Sequence, residues 1–146
     1  MSRALGIDYG QRRVGLALSD PERLIAQAYR TLPHRGDLTP VIQALCELIE
    51  REEVGHVVVG WPLRLNGKEG IQTRKVARFI ELLSAQCPVE ISRWDERLST
   101  VAAERSLIEG RVSREGRKQV VDQVAASLIL QAWLDAQRAS PSTSLE

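Results

Sequence analysis

Acidic residues stand at the ends of three predicted elements of this chain. Asp8 ends an apolar strand between Gly6 and Gly10, the pair Asp95-Glu96 ends a later strand, and Asp122 lies near the start of the last helix. Clustered carboxylates repel one another unless divalent cations lie between them, and oxygen ligands of this kind suit Mg²⁺ or Mn²⁺. Two such ions about 4 Å apart activate a water and stabilise the leaving oxygen in phosphodiester hydrolysis. The pattern predicts a metal centre for that chemistry.

Each of these acids also has a structural interpretation. Asp8 can accept hydrogen bonds from the turn that follows it. Asp122, in the predicted first turn of the last helix, can stabilise that helix through a favourable interaction with its dipole. Asp95 and Glu96 point to opposite faces of a strand, so only one of them reaches the side of the sheet that Asp8 reaches. The other would pair with an arginine or cap the next helix. The strand pattern alone leaves the choice between the two open.

The elements that must position these acids fall into two blocks. The first third of the chain contains three strands joined by short turns, the first turn at Gly10-Gln11, which predicts an antiparallel meander. Helices and strands then alternate, which predicts a mixed sheet with helices on its faces. The predicted strands are Ala4–Tyr9, Arg13–Ser19, Gln27–Leu32, His56–Gly60 and Val89–Trp94. The predicted helices are one that begins at the cap Thr39-Pro40 and ends at Gly55, then Gly70–Ala85, Ser99–Ile108 and Lys118–Arg138.

The last helix is expected to bury an apolar stripe against the sheet. The predicted stripe comprises Val121, Val124, Ala125, Leu128, Ile129 and Ala132. At ~100° per residue, Asp122 lies about 60° from the centre of that stripe, so its carboxylate sits beside an apolar face. The small residues Ala125 and Ala126 let the helix approach the sheet closely. A carboxylate buried there requires a cation.

Length and composition set the class of protein. The 146 residues predict one domain over 1–138, followed by a disordered polar tail at 139–146. No apolar stretch approaches the ~20 residues of a membrane span, and no secretory apolar segment follows the first residues, so a cytoplasmic protein is expected. The net charge of +1, from 20 basic and 19 acidic residues, leaves room for a local basic patch. Of the basic residues, 17 are arginine, the better bidentate phosphate ligand; a genomic preference for arginine codons is the alternative explanation.

Five motifs together resemble the RuvX-like (YqgF) family, from about Leu5 to Leu134. They are Gly6-Ile7-Asp8-Tyr9-Gly10, Arg13-Val14-Gly15, Gly60-Trp61-Pro62-Leu63 with Asn66-Gly67, Asp95-Glu96-Arg97-Leu98-Ser99-Thr100 and Asp122-Gln123-Val124-Ala125-Ala126. The resemblance implies an α/β fold of the RNase H-like class and nuclease activity in maturation of pre-16S ribosomal RNA. It implies that Asp8, Glu96 and Asp122 bind two Mg²⁺ or Mn²⁺ ions and carry catalysis, and it selects Glu96 over Asp95. Trp61 stands where the family usually has a small aliphatic residue.

Basic and polar residues near these motifs are predicted to contact the substrate. They are Arg12, Arg13, Arg64, Asn66, Lys68, Arg97, Arg111, Arg114, Arg117 and Lys118. Contacts from such side chains to phosphate groups provide affinity and position rather than recognition of base sequence. Two alternatives stay open: Arg13 pairs with a catalytic carboxylate, and the segment 111–118 is a solvated loop without a partner.

The remaining chemistry-bearing side chains are expected to be structural. They are His34, His56, Trp94 and Trp133. Cys46 and Cys87 are expected to be reduced thiols packed as small apolar groups. Trp61, placed in a loop by the pattern, is the one candidate for stacking on a base.

Three classes of function compete. The leading one is a metal-dependent nuclease acting on structured RNA, with branched DNA, as for a Holliday-junction resolvase, as the second substrate. The spacing from Asp8 to Gly15 also resembles the phosphate loop of sugar kinases and actin-like ATPases, but those proteins need two related domains, and this length supplies one. The third class is a non-catalytic RNA-binding factor of ribosome assembly. A junction resolvase would act as a dimer, whereas an RNA processor works as a monomer or weak homodimer.

Overall fold

The computed structural model describes residues 2–62, 70–96 and 114–139, with side chains in the last range from residue 121 onward. Five strands and three helices lie in these ranges. The strands are β1 (Arg3–Tyr9), β2 (Arg13–Ser19), β3 (Ala26–Pro33), β4 (Val54–Trp61) and β5 (Glu90–Asp95). The helices are α1 (Thr39–Arg51), α2 (Ile71–Gln86) and α3 (Arg114–Arg138). The predicted helix at Ser99–Ile108, the loop at 63–69 and the tail at 140–146 lie outside the described residues.

The strands form one mixed sheet in the order β3-β2-β1-β4-β5. The first three strands pair as the predicted antiparallel meander. Strands β4 and β5 run parallel to β1, so the carboxyl ends of β1, β4 and β5 share one edge of the sheet. The predicted mixed sheet is confirmed, and the strand that ends near Asp8 is its central strand.

Alternation along β1 assigns its residues to two faces of the sheet. Leu5 and Ile7 pack with residues of α1 and α2 in one apolar cluster. Ala4 packs on the opposite face in a second cluster that includes Ala126 and Leu130 of α3. Asp8 continues the set of Ala4, so its side chain lies on the α3 face.

The buried side of α3 differs from the predicted stripe. Its buried residues are Val121, Ala125, Ala126, Ile129, Leu130, Trp133 and Leu134, whereas Val124, Leu128 and Ala132 are only half-buried. At ~100° per residue, Asp122 lies near the centre of this observed face, so the predicted offset of about 60° was wrong. The sheet under α3 offers small residues such as Ala4 and Ala17, which accommodate this closer approach.

The predicted start of α1 at Thr39-Pro40 is confirmed, but the capping role of Thr39 and the helix end at Gly55 are wrong. Thr39 is the first helical residue and caps nothing; its N–H instead donates to Asp37 Oδ1 at 3.1 Å. The chain leaves α1 through Glu53, which has a φ of 56°, and β4 begins at Val54, so Gly55 is inside the strand. The helix therefore ends earlier, and the strand is longer, than the glycine suggested.

The prediction of reduced thiols is wrong. Cys46 of α1 and Cys87, the residue after α2, form a disulfide with Cα atoms 5.8 Å apart. Both helices pack on the same face of the sheet, which brings together two cysteines 41 residues apart in the chain.

The surroundings of His56 predict that the stability of the fold depends on pH. Its ring stacks on Trp133 at 4.5 Å between centroids, and its Nε2 lies 2.7 Å from Ser92 Oγ. Burial lowers the pKa of this imidazole, an effect that Glu90 partly opposes and Arg23 adds to. Because the folded protein binds the proton less readily than the unfolded chain, the free energy of unfolding should fall as the pH drops below about 6.5.

A His56→Gln variant tests this dependence. Urea unfolding at pH 7.5 and pH 5.5 should show a smaller loss of stability on acidification in the variant than in the wild type. The same loss in both proteins would show that His56 is not the group responsible.

Among the described residues, no helix has both the length and the apolar character needed to cross a membrane.

Candidate active site

Asp8 occupies the carboxyl end of the central strand and is only 6% exposed. Its partner across the antiparallel ladder is Gly15 of β2. On the other side, β4 pairs with β1 up to Ile7 and Val59, so Gly60 is the next residue of β4 beside Asp8. Asp8 therefore lies between two glycines on the α3 face, where neither neighbouring strand adds a side chain.

Gly15 allows α3 to cross the sheet at close range. A Cβ atom at this position would lie 2.1 Å from the carbonyl oxygen of Asp122 and 2.9 Å from its Cβ. No side chain fits that space, since real Cβ atoms essentially never approach other heavy atoms within 3.0 Å. The glycine thus brings Asp122 next to the strand position that faces Asp8.

Gly60 has the corresponding relation to Glu96. A Cβ atom at Gly60 would lie 2.9 Å from Glu96 Oε2 and 2.7 Å from Ile129 Cδ1. The Glu96 carboxylate therefore lies over β4 on the α3 face. Asp95 pairs in register with Trp61, whose side chain packs in the α1 and α2 cluster, so Asp95 belongs to the opposite face. This is the division between the two acids that strand alternation predicts.

Arg13 supplies a cation to this group. Its Nε donates to Asp122 Oδ2 at 3.1 Å, and both side chains are largely sheltered, at 28% and 20% exposed. Arg13 is two residues before Gly15 in β2, so the strand presents both on the α3 face. The alternative in which Arg13 pairs with one of the acids is the one that the structure shows.

The carboxylates fit a hard divalent cation in their chemistry. All three offer oxygen donors, and the two glycines keep the space on either side of Asp8 clear of Cβ atoms. As they stand, no three His, Cys, Asp or Glu side chains in the described ranges are grouped closely enough to hold one ion. Asp122 instead accepts a hydrogen bond from Arg13. The donors therefore converge on one region without forming a finished cluster.

The predicted substrate-binding residues divide between described and undescribed parts of the chain. Arg12 is exposed in the β1–β2 turn, directly before Arg13. The remaining predicted residues lie outside the described side chains: Arg64, Asn66, Lys68, Arg97, Arg111, Arg114, Arg117 and Lys118.

The predicted loop position of Trp61, which made it a candidate for stacking on a base, is wrong. Trp61 is the last residue of β4, is 7% exposed and packs in the apolar cluster under α1 and α2. The Arg93 guanidinium lies 4.1 Å from its ring centroid and covers it. The β-branched run of β4 simply continues one residue further than the Gly60 signal suggested, because Gly60 is inside the strand.

Gly15 and Gly60 are the site residues whose role sequence reasoning missed. The predicted strands contain both glycines but assign them no role at the site, whereas in the structure both act as spacers below an acid. The available signal was their position: each is a glycine inside an otherwise apolar or β-branched run, a pattern that often marks close approach by another backbone or a ligand.

Comparisons with known proteins identify relatives of this chain by sequence and by fold. The family model described as "RuvX: Holliday junction resolvase" matches residues 2–136. A protein of Myxococcus xanthus named "Putative pre-16S rRNA nuclease" is 45% identical over 136 residues, which are 93% of this chain and 89% of that protein. An Acetivibrio thermocellus protein of the same name is 43% identical over 92% of this chain and 96% of its own length.

Solved structures with little sequence identity share the fold. RuvC of T. thermophilus in complex with Holliday junction substrate superimposes with a TM-score of 0.61 at 13% identity, over 96% of this chain and 98% of that one. The fowlpox virus Holliday junction resolvase gives 0.52 at 14% identity, over 92% and 99%. These similarities confirm the predicted RNase H-like fold. The family model and the two relatives show that this chain belongs to the RuvX family.

Proposed function

We propose that this protein is a metal-dependent nuclease that hydrolyses phosphodiester bonds in structured RNA, in maturation of the 5′ end of pre-16S ribosomal RNA. The observation that carries the proposal is the convergence of Asp8, Glu96 and Asp122 around two glycines at one edge of the sheet. The printed names of the relatives, and the family to which the chain belongs, support a hydrolase acting on these bonds. Such a substrate would place the enzyme in the cytoplasm.

The three acids would bind the metal ions from different elements of the fold. Asp8 would be the buried ligand, carried by the central strand. Glu96 approaches from the end of β5 and Asp122 from α3, so their positions depend on how the helix and the sheet edge pack together. Bound by these carboxylates, two Mg²⁺ or Mn²⁺ ions would supply the activated water and the charge stabilisation that phosphodiester hydrolysis needs.

Arginines of the β1–β2 turn would bind the substrate backbone. Arg13 forms an ion pair with Asp122, and Arg12 beside it is exposed. Guanidinium groups match phosphate oxygens in a bidentate way and position the strand without recognising its bases. The other predicted contacts, Arg64, Asn66, Lys68, Arg97, Arg111, Arg114, Arg117 and Lys118, belong to the same proposal.

Resolution of Holliday junctions is the second candidate function. The description of the family model and the fold shared with junction resolvases favour it. Cutting two strands symmetrically would call for a two-fold dimer, whereas we propose a monomer or weak homodimer for the RNA activity.

One preparation of the protein tested on two substrates separates these functions. We expect cleavage of a pre-16S ribosomal RNA fragment in Mn²⁺ or Mg²⁺, loss of cleavage in EDTA, and slower cleavage of a DNA four-way junction of equal concentration. Mapping of the RNA ends should place the new 5′ end at or near the mature terminus. Faster cleavage of the junction, with symmetric nicks, would favour the resolvase instead.

A further inference from the structure

Two adjoining surface grooves lie where β1 ends and the β1–β2 turn begins. They hold about 770 Å³ and about 400 Å³, and both are bordered by Gln11, His34 and Gly36. Arg12, Arg13 and Arg35 line the larger groove, and Arg74, Lys75 and Arg78 of α2 line the smaller one. We call the two together the basic groove. The basic groove runs from Arg13, on the α3 face of the sheet, around the β1–β2 turn to α2 on the other face.

The charge of the basic groove is unbalanced. Of the described residues that line either part, none is Asp or Glu, although the whole chain has 20 basic and 19 acidic residues. Except for Arg13, the basic side chains are exposed and form no ion pair with any described residue. The acid that follows Gly36, Asp37, accepts the N–H of Thr39 at the start of α1. Positive potential is therefore concentrated on this surface, as expected for a polyanion partner.

Ring stacking and hydrogen bonds hold the residues beneath the basic groove in place. The Tyr9 ring is stacked between His34 and Phe79, with centroids 5.2 Å and 4.6 Å away. His34 is 7% exposed, and its Nε2 lies 2.8 Å from the carbonyl oxygen of Gly10, which ties the β1–β2 turn to the end of β3. Gln72 Nε2 donates to the Tyr9 carbonyl oxygen at 3.3 Å, which ties the first turn of α2 to β1.

The cations of α2 share one side of the helix. Arg74 and Arg78 are four residues apart, and Lys75 and Arg78 three, so all three are surface neighbours. Because secondary structure carries them, little backbone ordering is needed when they engage a ligand.

We infer that the basic groove binds the phosphate backbone of the RNA substrate at nucleotides away from the cleaved bond. The inference rests on the proposed nuclease function and extends it to a second contact region. Continuity supports it: Arg13 lines the groove and also bonds Asp122 at the candidate active site. A strand whose scissile phosphate lies over the acids can pass Arg13 and Arg12, cross the turn and reach α2.

Substitution of Arg74 and Arg78 tests the inference directly. The double variant Arg74→Ala/Arg78→Ala is built in an Asp8→Asn background, so that the RNA stays intact during binding. The matched control is Arg30→Ala/Arg51→Ala, which removes two exposed arginines that line neither part of the groove. Fluorescence anisotropy with a pre-16S ribosomal RNA fragment gives Kd over a range of salt concentrations.

We expect Kd to rise about tenfold in the groove variant at physiological salt. The negative slope of the logarithm of the binding constant against log salt should become shallower by about 1.4 to 1.8, because two phosphate contacts are lost. In a background that keeps Asp8, KM should rise while kcat stays unchanged. An unchanged Kd and slope, or an equal effect in the control, would show that the basic groove does not bind the RNA. The nuclease proposal would remain in place. Failure of the protein with intact Asp8 to bind or cleave the RNA would instead reject the proposed function.

Discussion

The Asp8→Asn variant should lose RNA cleavage by more than about 100-fold while it keeps its fold. Changes in the partners that merely orient metal ligands commonly cost 10–100-fold, and Asp8 would be a ligand itself. The substitution is nearly isosteric, yet an amide carries no charge and cannot replace a carboxylate as a strong partner for Mg²⁺ or Mn²⁺. Single-turnover cleavage of the pre-16S fragment at saturating metal measures the loss.

The control for this experiment is Asp135→Asn. Asp135 is an exposed acid of α3 that pairs with Arg138, so the same chemical change occurs on the same helix as Asp122, away from the candidate active site. Circular dichroism and thermal melting should show folded protein for both variants. If Asp8→Asn cleaves as fast as the wild type, the acids are structural, and a non-catalytic role in ribosome assembly becomes the better hypothesis.

The Gly15→Ala variant should be strongly destabilised and should cleave RNA much more slowly. The new methyl group would meet the Asp122 carbonyl oxygen at 2.1 Å, and this obstacle is helix backbone rather than a movable side-chain end. Restoring a contact of 3.4 Å requires α3 to withdraw by about 1.3 Å. We expect a loss of about 3 kcal/mol in the free energy of unfolding, the upper part of the range for overpacked cores. The displaced Asp122 should lower cleavage by about 100-fold.

The Gly60→Ala variant should separate stability from activity. Its methyl group meets two side-chain ends, Ile129 Cδ1 at 2.7 Å and Glu96 Oε2 at 2.9 Å. Both can rotate away, so we expect a loss of only about 1 to 2 kcal/mol in the free energy of unfolding. The Glu96 carboxylate must nevertheless leave its place, and cleavage should fall by at least about tenfold.

Gly55→Ala provides the comparison for Gly60→Ala. Gly55 lies in the same strand, β4, and a Cβ atom there would also meet side-chain atoms, Ser2 Oγ at 2.2 Å and Arg23 Nη2 at 3.1 Å, with no acid among the nearest atoms. Urea unfolding and cleavage rates of all three variants are measured together. An activity loss in Gly60→Ala no larger than in Gly55→Ala would show that the position of Glu96 does not matter for cleavage.

Most of the sheet could be predicted because its signals are local. Strand alternation, the continuous β-branched run of β4 and the short turns of the meander are encoded within a few residues of each other. The position of Asp8 at the end of a central strand and the opposite faces of Asp95 and Glu96 follow from the same period of two. The disulfide between Cys46 and Cys87 could not be predicted, because it depends on how α1 and α2 lie side by side.

The sequence by itself determined which residues carry charge and that Asp8 and Glu96 stand at strand ends. Its prediction that Asp122 lies near a helix start was wrong, because α3 begins at Arg114 and Asp122 is its ninth residue. Only the tertiary structure decided that Gly15 and Gly60 are the spacers that let α3 and the end of β5 close around Asp8. It also decided which side of α3 is buried and that Arg74, Lys75 and Arg78 join the arginines of the β1–β2 turn around one groove. The physical reason is range: periodicity reports the direction of a side chain within its own element, whereas the distance of approach between elements depends on packing among residues far apart in the chain.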